Sequence, residues 1–444
     1  MQYFSRYMKI PSDARPLIKK LLAISIVLLF SVPTLSPLAT SKQSYQENTT
    51  IAPNVEKEQE LDLLRVEHYL YVNASEDVGM FHIRFSFPPD YEYQVPLMLE
   101  FYNDSTVLKI LQYHIENDTL VPNKIINFTI GSMKKDESVL LHFSCWVLVK
   151  NHDFSDLPPY VKIPKKYQLP EDTKIWLAST KEVQLHSLLI RHKARQLHGM
   201  SDNLIRYAKR IAPFIRYHRL ILFLLELNLG LLLSQDARTT LLINGENVGR
   251  SHLACAFFRL YNIPARVLLV NNDQGFWTQM HYMVEYYCPG YGWVLVETTR
   301  GETPYATKRQ IVNRVCYPQD EEDTKRDYIF PFMKGEERWL WIDNDHISPY
   351  YVDCKTGSKA QMFSETNVST DQLTANYAFV LTQIVFRQYQ KYLGVNFTGE
   401  NLQHFQNAVA YQKQAILALK QSQEPEGYLD FMNLAYTEYE EISI

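Results

Sequence analysis

Cysteine is scarce in this sequence and never closely paired: Cys145, Cys255, Cys288, Cys316 and Cys354 are the five in 444 residues. No two of them form a C-x-x-C unit, so the usual zinc-ligand spacings are absent and no metal or cofactor is expected. An odd number also leaves at least one thiol unpaired within a monomer. Excess charge is missing as well. A formal net charge of −4 forces no basic face, so nucleic acid is excluded as the expected partner. There is no internal repeat and no long low-complexity run. Beyond the N-terminal region no stretch has the length and apolarity to cross lipid. Residues 219–233 come nearest, but Glu226 and Asn228 sit in their middle, and the run reads as a buried helix. What the chain does have is apolar surface. With 46% hydrophobic residues it can bury a large core, and its length predicts two or three compact units.

The first 39 residues read as an export signal. Arg15, Lys19 and Lys20 precede the apolar run Leu21 to Val32, which Pro33 interrupts. Small residues follow, as in a secretory signal peptide, with a cleavage point after Ala39. The alternative is an uncleaved membrane anchor extended through Leu38. Either way the protein is expected outside the cytoplasm, in the cell envelope or the exterior, with a possible membrane tether at the N-terminus. Asn-x-Ser/Thr sequons at Asn48, Asn73, Asn103, Asn117, Asn127, Asn367 and Asn396 would be surface sites in a glycosylating host.

Residues 40–60 are polar and aperiodic, a tether. From 61 to 150, strand-like segments such as MFHIRFSF and VLLHFSCWVLV recur between Asn, Asp, Ser, Pro and Lys turns, the rhythm of an antiparallel β-sandwich. A Pro-rich boundary over 151–175 follows. Helical periodicity then takes over at 183–199, 202–216 and 218–233, with helix starts at Ser201-Asp202 and Ser234/Asp236. Strands return at 264–271, 280–287 and 292–297, and the last stretch, 365–444, is helical.

Three segments carry the chemistry: QDARTTLLINGENVGRSHLACAFFRLYNIPAR (235–266), HYMVEYYCPGYGW (281–293) and VLVETT (294–299). Together they resemble the core of the transglutaminase-like family within the papain-like superfamily. The family pattern is Gly-x-Cys opening a helix, an Arg late in that helix, and Gly/Asn-Ile-Pro-Ala-Arg leading into a strand. His-x-Trp-x-Glu-x-Tyr follows, then a hairpin ending Gly-Trp and an acidic residue before Thr. Asn262-Ile263-Pro264-Ala265-Arg266, His281 with Glu285 and Tyr287, and Gly292-Trp293 carry the match. The resemblance implies a thiolate stabilised at a helix start, a histidine that serves as base and then acid, and a carboxylate that fixes the imidazole tautomer. Glu297 stands where the family has aspartate. Arg259 and Arg266 are expected to buttress the helix–strand junction.

The nucleophile breaks the pattern. An ungapped register from Ile263 places the family's cysteine on Asn247, and asparagine forms no thioester. A shifted register offers Ser251 at the cost of one helical turn. Cys255 lies eight residues along the same helix, about 12 Å down its axis, and sits in the apolar LACAFF. Cys288 is beside the hairpin turn. Asn247 is therefore expected to cap the helix, and Met283 replaces the family's Trp. Trp277, Tyr282 and Tyr291 are candidate groove aromatics. Calcium supports some relatives, but Asp320-Glu321-Glu322-Asp323 reads as a solvated loop.

The expected fold class is α+β: an N-terminal β-sandwich (61–150), a transglutaminase/papain-like core (175–350) and a helical C-terminal extension (365–444), behind a signal or anchor (1–39) and a tether (40–60). The expected function is that of an exported, catalytically impaired binding module for protein or peptide chains. The alternative is an active thiol or serine acyl-transfer enzyme, a peptidase or amide transferase, with a displaced nucleophile. Whether the chain is an enzyme is left open at this stage.

Overall fold

The computed structural model describes residues 58–152, 154–218, 235–243, 245–272, 280–306, 309–323, 332–335, 338–341, 348–351, 354–422 and 425–443. The N-terminal segment, the tether as far as residue 57, the 219–233 run and Trp277 therefore lie outside the described residues, while the last three residues expected in the tether, Glu58 to Glu60, belong to a strand paired with residues 369–371.

Strict alternation builds the first strands. In β2 (Phe81–Phe87) the inward positions are Phe81, Ile83, Phe85 and Phe87, all buried, while the residues between them are partly exposed. Strands β1 (Glu58–Ala74), β3 (Gln94–Phe101), β4 (Ile110–Asn117), β5 (Lys124–Ile130) and β6 (Ser138–Lys150) complete the N-terminal set. They divide between two five-stranded antiparallel sheets. Each sheet is finished by strands from far along the chain: β11 (Phe332–Gly335), β12 (Arg338–Trp341), β13 (Ser348–Tyr351) and β14 (Cys354–Asp371). The strand orders are β13-β14-β1-β6-β3 and β12-β11-β2-β5-β4. β14 runs the whole length of β1, from Glu58↔Asp371 to Ala74↔Cys354. This differs from the expected organisation, which placed residues up to 350 in the core domain and made 365–444 helical. Those residues are strands because β1 and β2 each offer a free edge that must be paired or covered.

The functional core lies between the two halves of the sandwich sequence. Its helices are α1 (Leu188–His198), α2 (Leu204–His218), α3 (Ala237–Leu242), α4 (Asn247–Arg259) and α5 (Pro318–Asp323). They accompany a four-stranded sheet of β7 (Ala265–Asn272), β8 (Met280–Cys288), β9 (Gly292–Val296) and β10 (Gln310–Val315), in the order β10-β7-β8-β9. Local signals fix the ends. Asp236 accepts the Thr239 N–H at 2.9 Å and starts α3. Asn203 accepts the Ile205 N–H at 2.9 Å and starts α2, one residue beyond the expected Ser201-Asp202. Three C-terminal helices, α6 (Gln372–Tyr392), α7 (Gly399–Ser422) and α8 (Pro425–Glu440), pack on the sandwich. Phe386 stacks on Phe87 with ring centroids 5.8 Å apart. The class is thus α+β, with several antiparallel sheets and a helical C-terminal region. No described helix is long and apolar enough to cross a membrane.

Sandwich and core share buried polar contacts. Gln94 donates to the Val312 carbonyl at 2.8 Å and accepts the Val312 N–H at 2.7 Å. Asn123 brackets Val315 in the same way, at 2.8 Å each. Arg314 bridges Asp118 of the sandwich and Asp320 of α5 at 2.7 and 2.9 Å. A side-chain amide mimics a strand edge in each of the first two contacts, so the backbone of β10 is satisfied where the ladder ends.

Candidate functional site

Asn247 is the first residue of α4. The residue before it, Glu246, is extended and makes no side-chain cap. Asn247 was expected to cap the helix, but its amide turns the other way. Its Nδ2 lies 2.9 Å from Nδ1 of His281. The other imidazole nitrogen, Nε2, lies 2.8 Å from Oε2 of Glu297. An amide N–H can only donate, so Nδ1 is the acceptor and Nε2 carries the proton to the carboxylate. The three side chains that the ungapped register aligned stand in one hydrogen-bonded line, nucleophile position to imidazole to carboxylate.

The hairpin explains the last contact. β8 and β9 pair from Cys288↔Gly292 to Val284↔Val296. One step further would set Met283 against Glu297, so His281 meets Glu297 diagonally on the same face. Glu297 is fully buried and His281 is 8% exposed. Burial works to raise the Glu297 pKa. The His281 hydrogen bond and charge and the Thr299 contacts outweigh it and hold the carboxyl below its ordinary value. The Thr299 N–H donates to Glu297 Oε1 at 2.7 Å. The carboxylate is fixed by two donors before any ligand arrives.

The alternative nucleophiles are elsewhere. Ser251 donates its hydroxyl to the Asn247 carbonyl at 2.9 Å, as a buried helical serine does. Cys255 is completely buried, and that burial pushes its thiol up to about 12. Cys288 is also buried, its thiol pushed up to about 11, and seven residues of strand separate it from His281, about 23 Å. Cys145, Cys255, Cys288 and Cys316 are all buried. None is exposed and activated in the way a reactive thiolate requires.

The candidate groove aromatics do not gather at the dyad. Tyr282 is 7% exposed and belongs to the buried core, across the ladder from Leu269, because neighbours on a strand point to opposite faces. Tyr291 belongs to the hairpin turn at the far end of β8, where its hydroxyl donates to Asp156 at 2.9 Å. It lies roughly 30 Å of strand from His281. Neither supports the expected substrate role.

Two arginines hold the site's frame. Arg259 closes α4 onto Ala265, donating to its carbonyl at 3.0 Å, and pairs with Glu321 with both side chains inaccessible. Arg266 pairs with Glu285 at 2.9 Å and reaches Tyr91 of the sandwich, which also bonds Glu285. Its guanidinium lies 3.7 Å from the Trp293 ring centroid and 5.0 Å from that of Trp176. Glu321 and Asp320 correct the solvated-loop expectation. Both are in α5, and each neutralises an arginine. Neither carboxylate is left for a cation, and no cluster with metal-ligand character occurs among the described residues. Glu321 was missed because its partner Arg259 is 62 positions away, and an acidic run on its own looks solvated.

A helix start, an imidazole on the neighbouring strand and a carboxylate one hairpin later define a papain-like α+β site. Residues 232–298 match the family model described as the transglutaminase-like superfamily, so the chain carries a transglutaminase-like core there. Among solved structures, one described as "a putative cysteine protease" from Cytophaga hutchinsonii aligns with a TM-score of 0.45 at 13% identity, over 70% of this chain and 91% of that one. Another, "a putative protease" from Parabacteroides distasonis, aligns with a TM-score of 0.22 at 12% identity, over 55% of this chain and 47% of that one. No curated protein matches the sequence.

Proposed function

We propose that this is an exported transglutaminase-like protein whose acyl-transfer chemistry is lost at Asn247 and whose site serves to bind protein or peptide chains. The observation that carries this is the Asn247 amide on His281 Nδ1 at 2.9 Å. A general base works through a free lone pair within hydrogen-bond reach of the proton it removes. Here that lone pair is engaged by an amide N–H that is no nucleophile, while the other nitrogen is engaged by Glu297. The imidazole is held in one tautomer with nothing to deprotonate.

The surroundings suit binding. The first-turn N–H groups of a helix have no intrahelical acceptor. At the start of α4 they can take a peptide carbonyl. Export is supported by the basic-then-apolar pattern of residues 15–32, which would place the module in the envelope or outside the cell.

The test uses the full chain and glutamine-containing peptides bearing a fluorophore. Anisotropy should report saturable binding. Amine incorporation, peptide hydrolysis and rapid iodoacetamide labelling at neutral pH should all be absent. Turnover that disappears in His281→Ala would overturn the proposal in favour of an active enzyme with a displaced nucleophile. Absence of any peptide binding would remove the binding role.

A further inference from the structure

The small total charge conceals a local excess. Between Leu188 and His218 the sequence holds seven Lys and Arg against one acid, Asp202, in a chain whose formal net charge is −4. The segment folds as α1 and α2, which run antiparallel: Lys193 reaches the Phe214 ring at 4.6 Å, and His198 packs edge-on against Tyr207 at 5.4 Å. Both helices turn their apolar sides to the core they share with α4, where the Tyr207 hydroxyl donates to the Phe257 carbonyl at 2.9 Å. Three- and four-residue spacing then sends the bases outward together. Arg191 and Arg195 on α1, and Arg206, Lys209, Arg210 and Arg216 on α2, are all exposed.

These bases are not neutralised. Three are held by main-chain carbonyls: Arg191 by Leu185 at 3.0 Å, Arg210 by His198 at 3.0 Å and Arg216 by Arg300 at 2.7 Å. Such contacts fix a guanidinium and leave its charge in place. Among the described residues none of the six forms an ion pair, whereas exposed lysines elsewhere do, Lys134 with Asp77 at 2.8 Å and Lys420 with Glu365 at 2.7 Å. Two acids border the face. Asp202, between the helices, accepts the Tyr160 hydroxyl at 3.0 Å, and Glu302 is two residues past Arg300. A further base stands beside each: Lys162, bridged to Asn203, and Arg300 itself. The result is a fixed positive field over one two-helix layer.

We infer that the outer face of α1 and α2 docks on an anionic lipid bilayer, independently of the Asn247 site. Three side chains select lipid over other polyanions. Leu188 is 80% and Tyr217 58% exposed at one end of the helix pair, and Met200 is fully exposed at the other. Apolar and aromatic groups set among bases enter the headgroup region while the bases meet lipid phosphates. A nucleic-acid backbone offers nothing to Leu188 or Met200. The helix pair is about 20 Å long, and a bilayer meets all of it at once. Each base brought to an anionic surface strengthens binding about five-fold. Arg216 holds the carbonyl of Arg300, three residues past Glu297, so the docked face borders the loop that follows the site's carboxylate.

The test uses the full chain carrying Met200→Cys labelled with an environment-sensitive fluorophore, with the unsubstituted chain treated identically as background. This probe reports on the face and not on the apolar run at 21–32. Vesicles of phosphatidylcholine with phosphatidylglycerol should blue-shift its emission, phosphatidylcholine alone should not, and added salt should reverse the shift. Arg195→Glu with Arg206→Glu should raise the lipid concentration at half-saturation at least about ten-fold, with circular dichroism unchanged. Lys134→Glu with Lys135→Glu changes the net charge equally, on the sandwich, and should leave that concentration unchanged. Absence of any shift overturns the inference, as does a shift of equal size on both vesicles, or a sandwich pair that weakens binding as much as the helix pair. Tighter binding to duplex DNA than to anionic vesicles, lost in Arg195→Glu with Arg206→Glu, also overturns it and assigns the face to nucleic acid.

Discussion

Replacing Arg266 by methionine should destabilise the protein far more than the loss of a surface charge. The guanidinium is buried and its partner Glu285 has no accessible side-chain surface. Methionine matches the aliphatic stem, so the shape changes little. What changes is that a buried carboxylate keeps only the Tyr91 hydroxyl as donor. Breaking one half of a buried pair costs about 3–5 kcal/mol, because the remaining charge stays desolvated. Loss of the ring contacts with Trp293 and Trp176 adds about 1 kcal/mol. Urea unfolding followed by tryptophan fluorescence measures this directly, since Trp176 and Trp293 flank the group being removed. Arg266→Met with Glu285→Leu should recover most of the loss, because no charge is then stranded. A single-variant cost under about 1 kcal/mol, the range of exposed pairs, would refute the reasoning. So would a double variant no better than the single.

Other outcomes follow from the same structure. Glu297 has its pKa lowered from 4.5 in the fold, so its stabilisation is present above about pH 4.5 and is lost as the pH falls through the lower folded value. Glu297→Gln should flatten that acid limb in a pH series of unfolding curves. His68 is stacked on Phe143 at 5.0 Å, and burial pushes its pKa from 6.5 down to about 4. Its neutral form therefore stabilises the fold fully above about pH 6.5, and the contribution falls away towards pH 4. His68→Phe should remove that slope in the same assay. Gly394 has φ +82°, and a Cβ there would lie 2.3 Å from the Tyr113 carbonyl oxygen. Gly394→Ala should cost more than about 1 kcal/mol, read as a drop in Tm. Asn247→Cys should gain some iodoacetamide reactivity near neutral pH, and His281→Ala in that background should abolish the gain.

The site was legible where its parts are close in sequence and obey one period. Asn262 to Arg266 lead into β7, and across the three-residue loop between Cys288 and Gly292 an even spacing of 16 brings His281 and Glu297 to one face. The ungapped register to Asn247 follows from an uninterrupted helix. The parts that were not legible are non-local. β14 reads CKTGSKAQMFSETNVSTD, with few apolar residues. It is a strand because β1, some 300 positions earlier, supplies its ladder. Tyr282 and Tyr291 were chosen as aromatics near the motif. Strand alternation sends the first inward and strand length carries the second away, so proximity in sequence was the wrong measure. Glu321 failed for the same reason in reverse.

A preserved His281–Glu297 pair is weak evidence for catalysis, because the fold needs it regardless. Glu297 is fully buried, and its oxygens are met by the imidazole N–H and the Thr299 N–H. Remove the imidazole and a desolvated carboxylate loses half of its donors, a loss of several kcal/mol. The histidine in turn needs something at Nδ1, and the Asn247 amide supplies a hydrogen bond that a cysteine would have supplied as a reactive pair. On the function proposed above, asparagine satisfies the stability requirement and supplies no nucleophile at the same position. Selection for stability alone would keep the carboxylate and the imidazole long after the nucleophile had gone. The two requirements separate experimentally. Asn247→Ala should lower stability by about 1 kcal/mol for the lost hydrogen bond and leave peptide binding in place. His281→Ala should lower stability by several times that. If the two substitutions cost the same, the dyad is not held by the buried carboxylate, and its persistence needs a functional cause.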